Sequence, residues 1–432
     1  MKVEPDGLVG AILAAQGCGL KAMINGPGGC RSRAVNLYRE LSTEYVKEEE
    51  NCCSSKYMSR QSMLPCTYLN SDDMILGSGN KITDGLSSVS TVTDRDIVLI
   101  DTLGATIQVT DRDLAVSRSG ADGRVLLADE DLSSVSMAEG YDMTLREILR
   151  RKDGWNGGKG PVAILGYTMA DSSWMFGKKN ITELLALCDV HDAVFLGCDG
   201  DPAATEAAKG CSFAISLHPE MTALTSQELK YHGIDTLIPE CGSPIGYDSM
   251  RSFVTEVSEM AGTSPDRAVS AIDSEENAVK RILINNDKDV RVLRGQLMTV
   301  EGIPSDILPL MEWLYDLFLL VPGSVRNRFC SGSPYQDRID TFLEGIGCGN
   351  AYSDVTDELY TFALFCDGLS AELYKEDHPT ASCVPISMPY AKKAELVDRS
   401  LVGFGGARNI LDTLINGIGR FSCGQPTMAD FR

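Results

Sequence analysis

The chain has 432 residues, 43% hydrophobic and 23% charged, with a formal net charge of −22. That length exceeds one ordinary core and implies two to three domains, while the strong acidity argues against a nucleic acid partner. No stretch approaches the roughly 20 consecutive apolar residues of a membrane span, and Glu4 and Asp6 precede the short apolar run Leu8–Ala15. With neither a basic leader nor a cleavage site, the expectation is a cytoplasmic protein.

In chain order, a helix from Leu8, a strand at Lys21–Ile24, a helix from Arg31 and a strand at Ile97–Ile100 are expected in the first 150 residues. The acidic run Lys47–Glu50 before Asn51, Cys52 and Cys53 reads as a solvated helix end. The middle is more regular. Strand-like runs at Val162–Gly166, Ala193–Leu196, Phe213–Leu217 and Thr236–Ile238 alternate with helical stretches, among them Pro202–Lys209 and a helix ending at Tyr231. That spacing indicates βαβ units and a parallel sheet. An amphipathic helix at Ser249–Met260 closes the unit, and Gly262-Thr263-Ser264-Pro265 reads as a linker. The rhythm resumes with a strand at Val290–Leu293, a helix at Asp306–Leu320 with Trp313 on a core-facing stripe, a strand at Ala381–Pro385 and a helix at Ala407–Ile418. The fold class is therefore α/β: three Rossmann-like domains with parallel sheets flanked by helices, spanning 1–158, 159–264 and 265–432.

Fourteen cysteines are scattered along the chain with no CxxC pair, which excludes a zinc ribbon or a ferredoxin run and leaves most of them as small buried hydrophobes. One stands apart. Asn25-Gly26-Pro27-Gly28-Gly29-Cys30 joins a predicted strand to a predicted helix; its glycines allow a tight turn and close approach to a bulky ligand. Cys30 would sit near a helix N-terminus, a place that favours the anionic sulfur that iron ligation requires. A glycine-rich turn with an incidental cysteine explains the stretch equally well. A nucleotide loop does not, because neither a Gly-Lys-Ser/Thr ending nor a GxGxxG is present, and Asp199 and Asp201 beside Gly197 and Gly200 would repel a pyrophosphate.

Leu8-Val9-Gly10-Ala11 followed by Ile24-Asn25-Gly26-Pro27-Gly28-Gly29-Cys30 resembles the opening of nitrogenase component 1 subunits, with Asn25 in place of the usual His. Cys66-Thr67-Tyr68-Leu69 through Lys81-Ile82 is similar to that family's STxLxExDxVFGGxxKL stretch, and Asp96–Ile100 through Thr110–Asp113 to the strand and turn carrying its later cluster cysteine. Further echoes occur at Pro244-Ile245-Gly246 and at Leu401–Ala407, the latter closer to β-type subunits. The resemblance implies an iron–sulfur cluster, 4Fe–4S or larger, at a subunit interface. It also implies an α-like component 1 subunit or a second copy as partner, and an ATP-dependent iron–sulfur protein as electron donor. Of the family's three cluster cysteines only Cys30 carries over; the earlier position falls near Asp6 and the later near Leu103, where Asp6, Asp101 or Thr102 offers only oxygen. The candidate site residues are Cys30 and Cys66 as metal ligands, with Cys18 and Asp6 beside them, although no family role falls to Cys18, Cys52 or Cys53. A smaller cluster, or one ligated mostly by a partner, fits this set better than a complete eight-iron centre. His378, the one histidine in the region of the family's late cofactor ligand, reads as a surface-loop residue. The function implied is a β-like subunit of a two-component reductase. The alternatives are a non-catalytic scaffold for metallocluster assembly and a subunit of a tetrapyrrole reductase of the protochlorophyllide or nickel-sirohydrochlorin type.

Overall fold

The computed structural model describes residues 5–41, 64–108, 110–128, 132–286, 290–351, 361–389 and 396–418. The run Lys47–Glu50 and both Cys52 and Cys53 lie outside them.

Short apolar runs buried on both faces form parallel strands, because crossover helices cover both sides of such a sheet. Three sheets result, parallel throughout. The first has the order β1 (Lys21–Asn25), β2 (Ile97–Asp101), β3 (Val125–Leu127). The second contains β4 (Val162–Leu165), β5 (Ala193–Phe195), β6 (Ala214–Ser216) and β7 (Thr236–Leu237) in the order β5-β4-β6-β7. The third contains β8 (Leu297–Gly302), β9 (Val321–Asn327), β10 (Ala363–Asp367) and β11 (Ser382–Ser387) in the order β11-β10-β8-β9. The chain is thus an α/β protein with three parallel sheets flanked by helices. None of the described helices is long and apolar enough to cross a membrane.

Helix α1 (Gly7–Gly17) is apolar all round, and ten of its eleven residues are buried, so it lies between layers instead of on the surface. It packs against the helix Met137–Arg150 so closely that a Cβ on Gly10 would lie 2.0 Å from the carbonyl oxygen of Met137. The Ser136–Glu139 capping box fixes the start of that partner helix. Its Tyr141, fully buried, donates a 3.1 Å hydrogen bond to the Gly197 carbonyl and so ties the first unit to the loop after β5.

The expected elements of the middle unit fall within a few residues of those observed, and Trp313 is buried in the helix Pro304–Phe318 as its stripe suggests. The strand expected at Val290–Leu293 is absent. There Arg291, Val292 and Arg294 face solvent, and the chain turns at Gly295 (φ +75°) before the real strand, β8. Alternating charge made the first run look stronger than it is, while Glu301 masked the second. Strands β3, β9 and β10 also escaped the sequence reading. Two of them carry a feature that weakens a strand pattern: β3 has only three residues, and β9 contains Pro322 and Gly323.

Candidate cluster site at the end of the first sheet

The turn after β1 starts α2 (Gly28–Leu41), which puts Cys30 in the first turn of that helix. On the other side of β1 the segment around Cys66 pairs in parallel with Ile24, so β1 lies between Cys66 and β2. The chain therefore reverses its direction of sheet growth at β1. Outside the carboxyl ends of the strands at such a reversal lies the crevice in which open parallel sheets bind ligands.

Asn25 forms the floor of this crevice. Its amide donates to Asp101 Oδ1 (2.8 Å) and accepts from Thr67 Oγ1 (2.9 Å), which in turn accepts from Gly26 N (2.9 Å). Thr102 Oγ1 donates to the Asn25 carbonyl at 3.2 Å, and Arg112 pairs with Asp101 at 2.9 Å. Three neighbouring chain segments are thus pinned by one amide. Gly26 is required for this approach, because a Cβ there would meet Thr102 Oγ1 at 2.1 Å.

The Cys66 thiol faces this turn, and Cys30 stands where the turn enters α2. Cys66 Sγ lies 3.2 Å from the Gly26 carbonyl and accepts from the Tyr68 N–H at 3.4 Å. Burial pushes its thiol up; the Tyr68 N–H and Arg31 oppose this, and nearby Cys30 adds to it. Cys30 is half-buried, and the preceding Gly29 borders open space, since a Cβ there would touch nothing within 4 Å. Tyr68 adopts φ +50°, which costs a non-glycine residue about 1–2 kcal/mol. The strained turn lays its ring beside Gly28 and under the Arg31 guanidinium, whose carbon is 5.6 Å from the ring centre.

Asp6 stands on the same side of the molecule as α2. Its carboxylate pairs at 2.5 Å with Arg33, one helical turn after Cys30, and so is already engaged, although its Oδ1 is buried with no partner among the described groups. Cys18 is not brought to this crevice. It lies twelve positions from Asp6 at the opposite end of α1, roughly 18 Å along the helix axis. There it is fully buried beside Thr205 and Gly197, and burial pushes its thiol up to about 12. It is a packing residue, and the expectation that it joins Cys30 is corrected. At the family's later position, Leu103 is exposed, and the oxygens of Asp101 and Thr102 are committed to Asn25 and Arg112.

The donor set fits an iron–sulfur centre only in part. Two cysteines stand at the same turn, near enough for Cys30 to act electrostatically on Cys66, but no group of three or more His, Cys, Asp or Glu able to hold a metal occurs among the described residues. The two segments flanking this turn carry an exposed apolar rim: Ile75 is 80%, Leu76 84%, Ile107 74% and Leu103 55% exposed. The segments meet where Gln108 Nε2 donates to Met74 Sδ at 2.8 Å, and the second abuts the turn, since a Cβ on Gly104 would lie 3.0 Å from Pro27. Exposed apolar side chains beside an incomplete ligand set are a common feature of surfaces that bind a partner. The sequence reading named Leu103 only as the place of an absent ligand and gave the other three no role, because each looks ordinary in its own segment.

It also missed His218, fully buried beyond the end of β6. The available signal was a His-Pro pair directly following a strand of the middle unit. His378, by contrast, caps the helix Gly368–Asp377 with its ring 4.3 Å from that of Tyr374.

Residues 7–314 match the profile of the nitrogenase component 1 type oxidoreductases, and the chain belongs to that family. In three dimensions it is similar to a solved structure titled "Nitrogenase Cp1 at pH 6.5". The TM-score is 0.76 at 16% identity, over 97% of this chain and 93% of that one. A second, "Nitrogenase Cp1 at pH 5", gives 0.67 at 14% identity over 96% and 88% of the two chains. At these identities the likeness is one of fold. Among curated protein sequences none matches this chain significantly.

Proposed function

We propose that this chain is a β-like, cytoplasmic subunit of a nitrogenase-like two-component reductase. In this reading Cys30 and Cys66 hold part of an interfacial iron–sulfur cluster, electrons come from a separate ATP-dependent iron–sulfur reductase, and the substrate site lies with a partner. The observation that carries it is the presence of Cys30 and Cys66 at one strand-end crevice whose flanking segments expose Ile75, Leu76, Leu103 and Ile107. Two sulfurs cannot complete a cluster, so the remaining ligands come from an α-like subunit or a second copy, and the apolar rim suits a permanent contact. When bound, such a centre supplies one-electron transfer at a potential set by burial and by hydrogen bonds to sulfur. This chain's part is to offer two thiolates, to direct the Tyr68 N–H at the sulfur of Cys66, and to exclude water with the rim once the partner is seated.

The test is anaerobic purification from the native host with identification of the partner and iron quantification. An oligomer carrying iron is expected, and a strictly monomeric, iron-free species contradicts the reading. Turnover by the complex with its reductase and ATP distinguishes a catalytic subunit from an assembly scaffold.

A further inference from the structure

The second and third sheets reverse their direction of growth between β4 and β6 and between β8 and β10, respectively. Both reversals open crevices of the kind that hold ligands in such sheets. Here the two crevices face each other, and protein side chains fill them.

His218, two residues past β6, is at their centre and is 2% exposed. Its Nδ1 is 2.9 Å from the Gly166 carbonyl, in the turn after β4, and its Nε2 is 3.1 Å from Asp306 Oδ1, in the first turn of the helix that follows β8. A carbonyl oxygen can only accept, so Nδ1 carries a proton; a carboxylate accepts as well, so Nε2 carries the other. Asp171 lies 3.9 Å from Nδ1, held by the backbone and hydroxyl of Thr168. Glu220, also buried, reaches across from the turn after β6 to accept from Ser305 N (3.0 Å), Ser305 Oγ (2.9 Å) and Ser333 Oγ (2.7 Å). Gly166 is obligatory: its φ is +80°, and a Cβ would strike the His218 backbone nitrogen at 2.8 Å.

We propose that the His218 imidazolium is a clasp between the second and third units. It is a fixed positive charge that occupies the facing crevices in place of a ligand and locks the C-terminal unit onto the middle one through Asp306. The reading is independent of the cluster site, because none of its groups touches Cys30 or Cys66. The charged groups facing His218 are Asp306 from the third unit and Asp171 and Glu220 from the second; the Cys330 thiol and Tyr335 hydroxyl lie beyond Glu220. Burial alone would lower the His218 pKa, but Asp306, then Asp171 and Glu220, outweigh it and hold it at about 10. For a histidine raised in the folded state, the stabilisation is complete below about 6.5, its unfolded value, and disappears as the pH rises through about 10. Burial raises Asp171 to about 6, with His218 opposing, so the cost of its buried charge is relieved as the pH falls through that value.

Two measurements on the full-length chain test the clasp. In protein labelled with 15N-histidine, with His218 assigned by its loss in His218→Gln, both ring nitrogens are expected to remain protonated through pH 8. A neutral tautomer at pH 7 overturns the proposal; should His218→Gln fail to fold, His218 is assigned by exclusion from His191→Gln, His232→Gln and His378→Gln. By calorimetry, His218→Gln and Asp306→Asn are each expected to lower the unfolding midpoint by on the order of 10 °C, since either leaves a buried charge without its partner. The double variant should fall no further than the worse single one, and the alkaline loss near pH 10 should be absent from His218→Gln. Additive losses, or an unchanged alkaline slope in His218→Gln, refute it.

Discussion

Strand-end crevices of the same topological kind meet opposite fates in this molecule. At β1 the crevice is open, carries two sulfurs and is rimmed by exposed Ile75, Leu76, Leu103 and Ile107. At β4/β6 and β8/β10 the crevices are closed, packed with His218, Asp171, Asp306 and Glu220, which find their hydrogen-bond partners within the protein. Topology supplies a place to bind at each reversal of a parallel sheet. Which side chains stand at the strand ends then decides whether that place awaits a partner or is already filled. Small residues and thiols leave the first unsatisfied by the chain alone, whereas opposite charges complete the other two.

The sharpest way to break this contrast is Cys30→Ala, which is expected to abolish the iron–sulfur absorbance of the assembled complex. Cys188→Ala and Cys211→Ala should retain it, because both thiols are buried in the middle unit. Equal iron in all three variants would remove Cys30 from the site. Next in size is Leu76→Glu, which puts a charge on the most exposed member of the rim. Association with the partner, followed by light scattering, should weaken by on the order of 100-fold, as when a contact central to an interface is lost. The isolated chain should melt within a degree or two of wild type, since the residue is at the surface; a lower midpoint with normal association would instead make Leu76 structural.

Cys66→Ser keeps the shape but replaces a soft ligand with a hard one. Loss of iron or a shifted reduction potential is expected, and an unchanged electron paramagnetic resonance spectrum in the intact complex would show that Cys66 only packs. Asn25→Ala removes the amide that pins three segments beneath the open crevice, and should cost about 1–3 kcal/mol by urea unfolding as Asp101 and Thr67 lose a partner. The smallest effect belongs to Cys18→Ala: a small buried void costing about 1 kcal/mol, with iron content unchanged. A loss of iron there would reopen the role that its position argues against.

The parallel α/β architecture was legible in the chain because strands buried on both faces are written as unbroken apolar runs, such as Ile97–Ile100 and Val162–Leu165, which no distant residue has to complete. Helix limits were legible for the same local reason, with Gly262 ending one helix at φ +69°. Strand β8 was not, since its burial is imposed by β9 and β10 and owes little to its own alternation.

At the sites the division is similar. Cys30 could be singled out from six neighbouring residues, because glycine freedom and a helix start are properties of the local chain. That Cys66 stands near it and that Cys18 does not follow from the pairing of Ile24 with Cys66 and from the length of α1, and two segments with exposed apolar residues are brought together where Gln108 meets Met74. The His218 clasp lies at the far end of that scale. Its partner Asp306 is 88 positions away and in another sheet unit. A lone histidine in sequence has no charge state of its own to read; only the tertiary structure, by withdrawing water and supplying three carboxylates, gives it one.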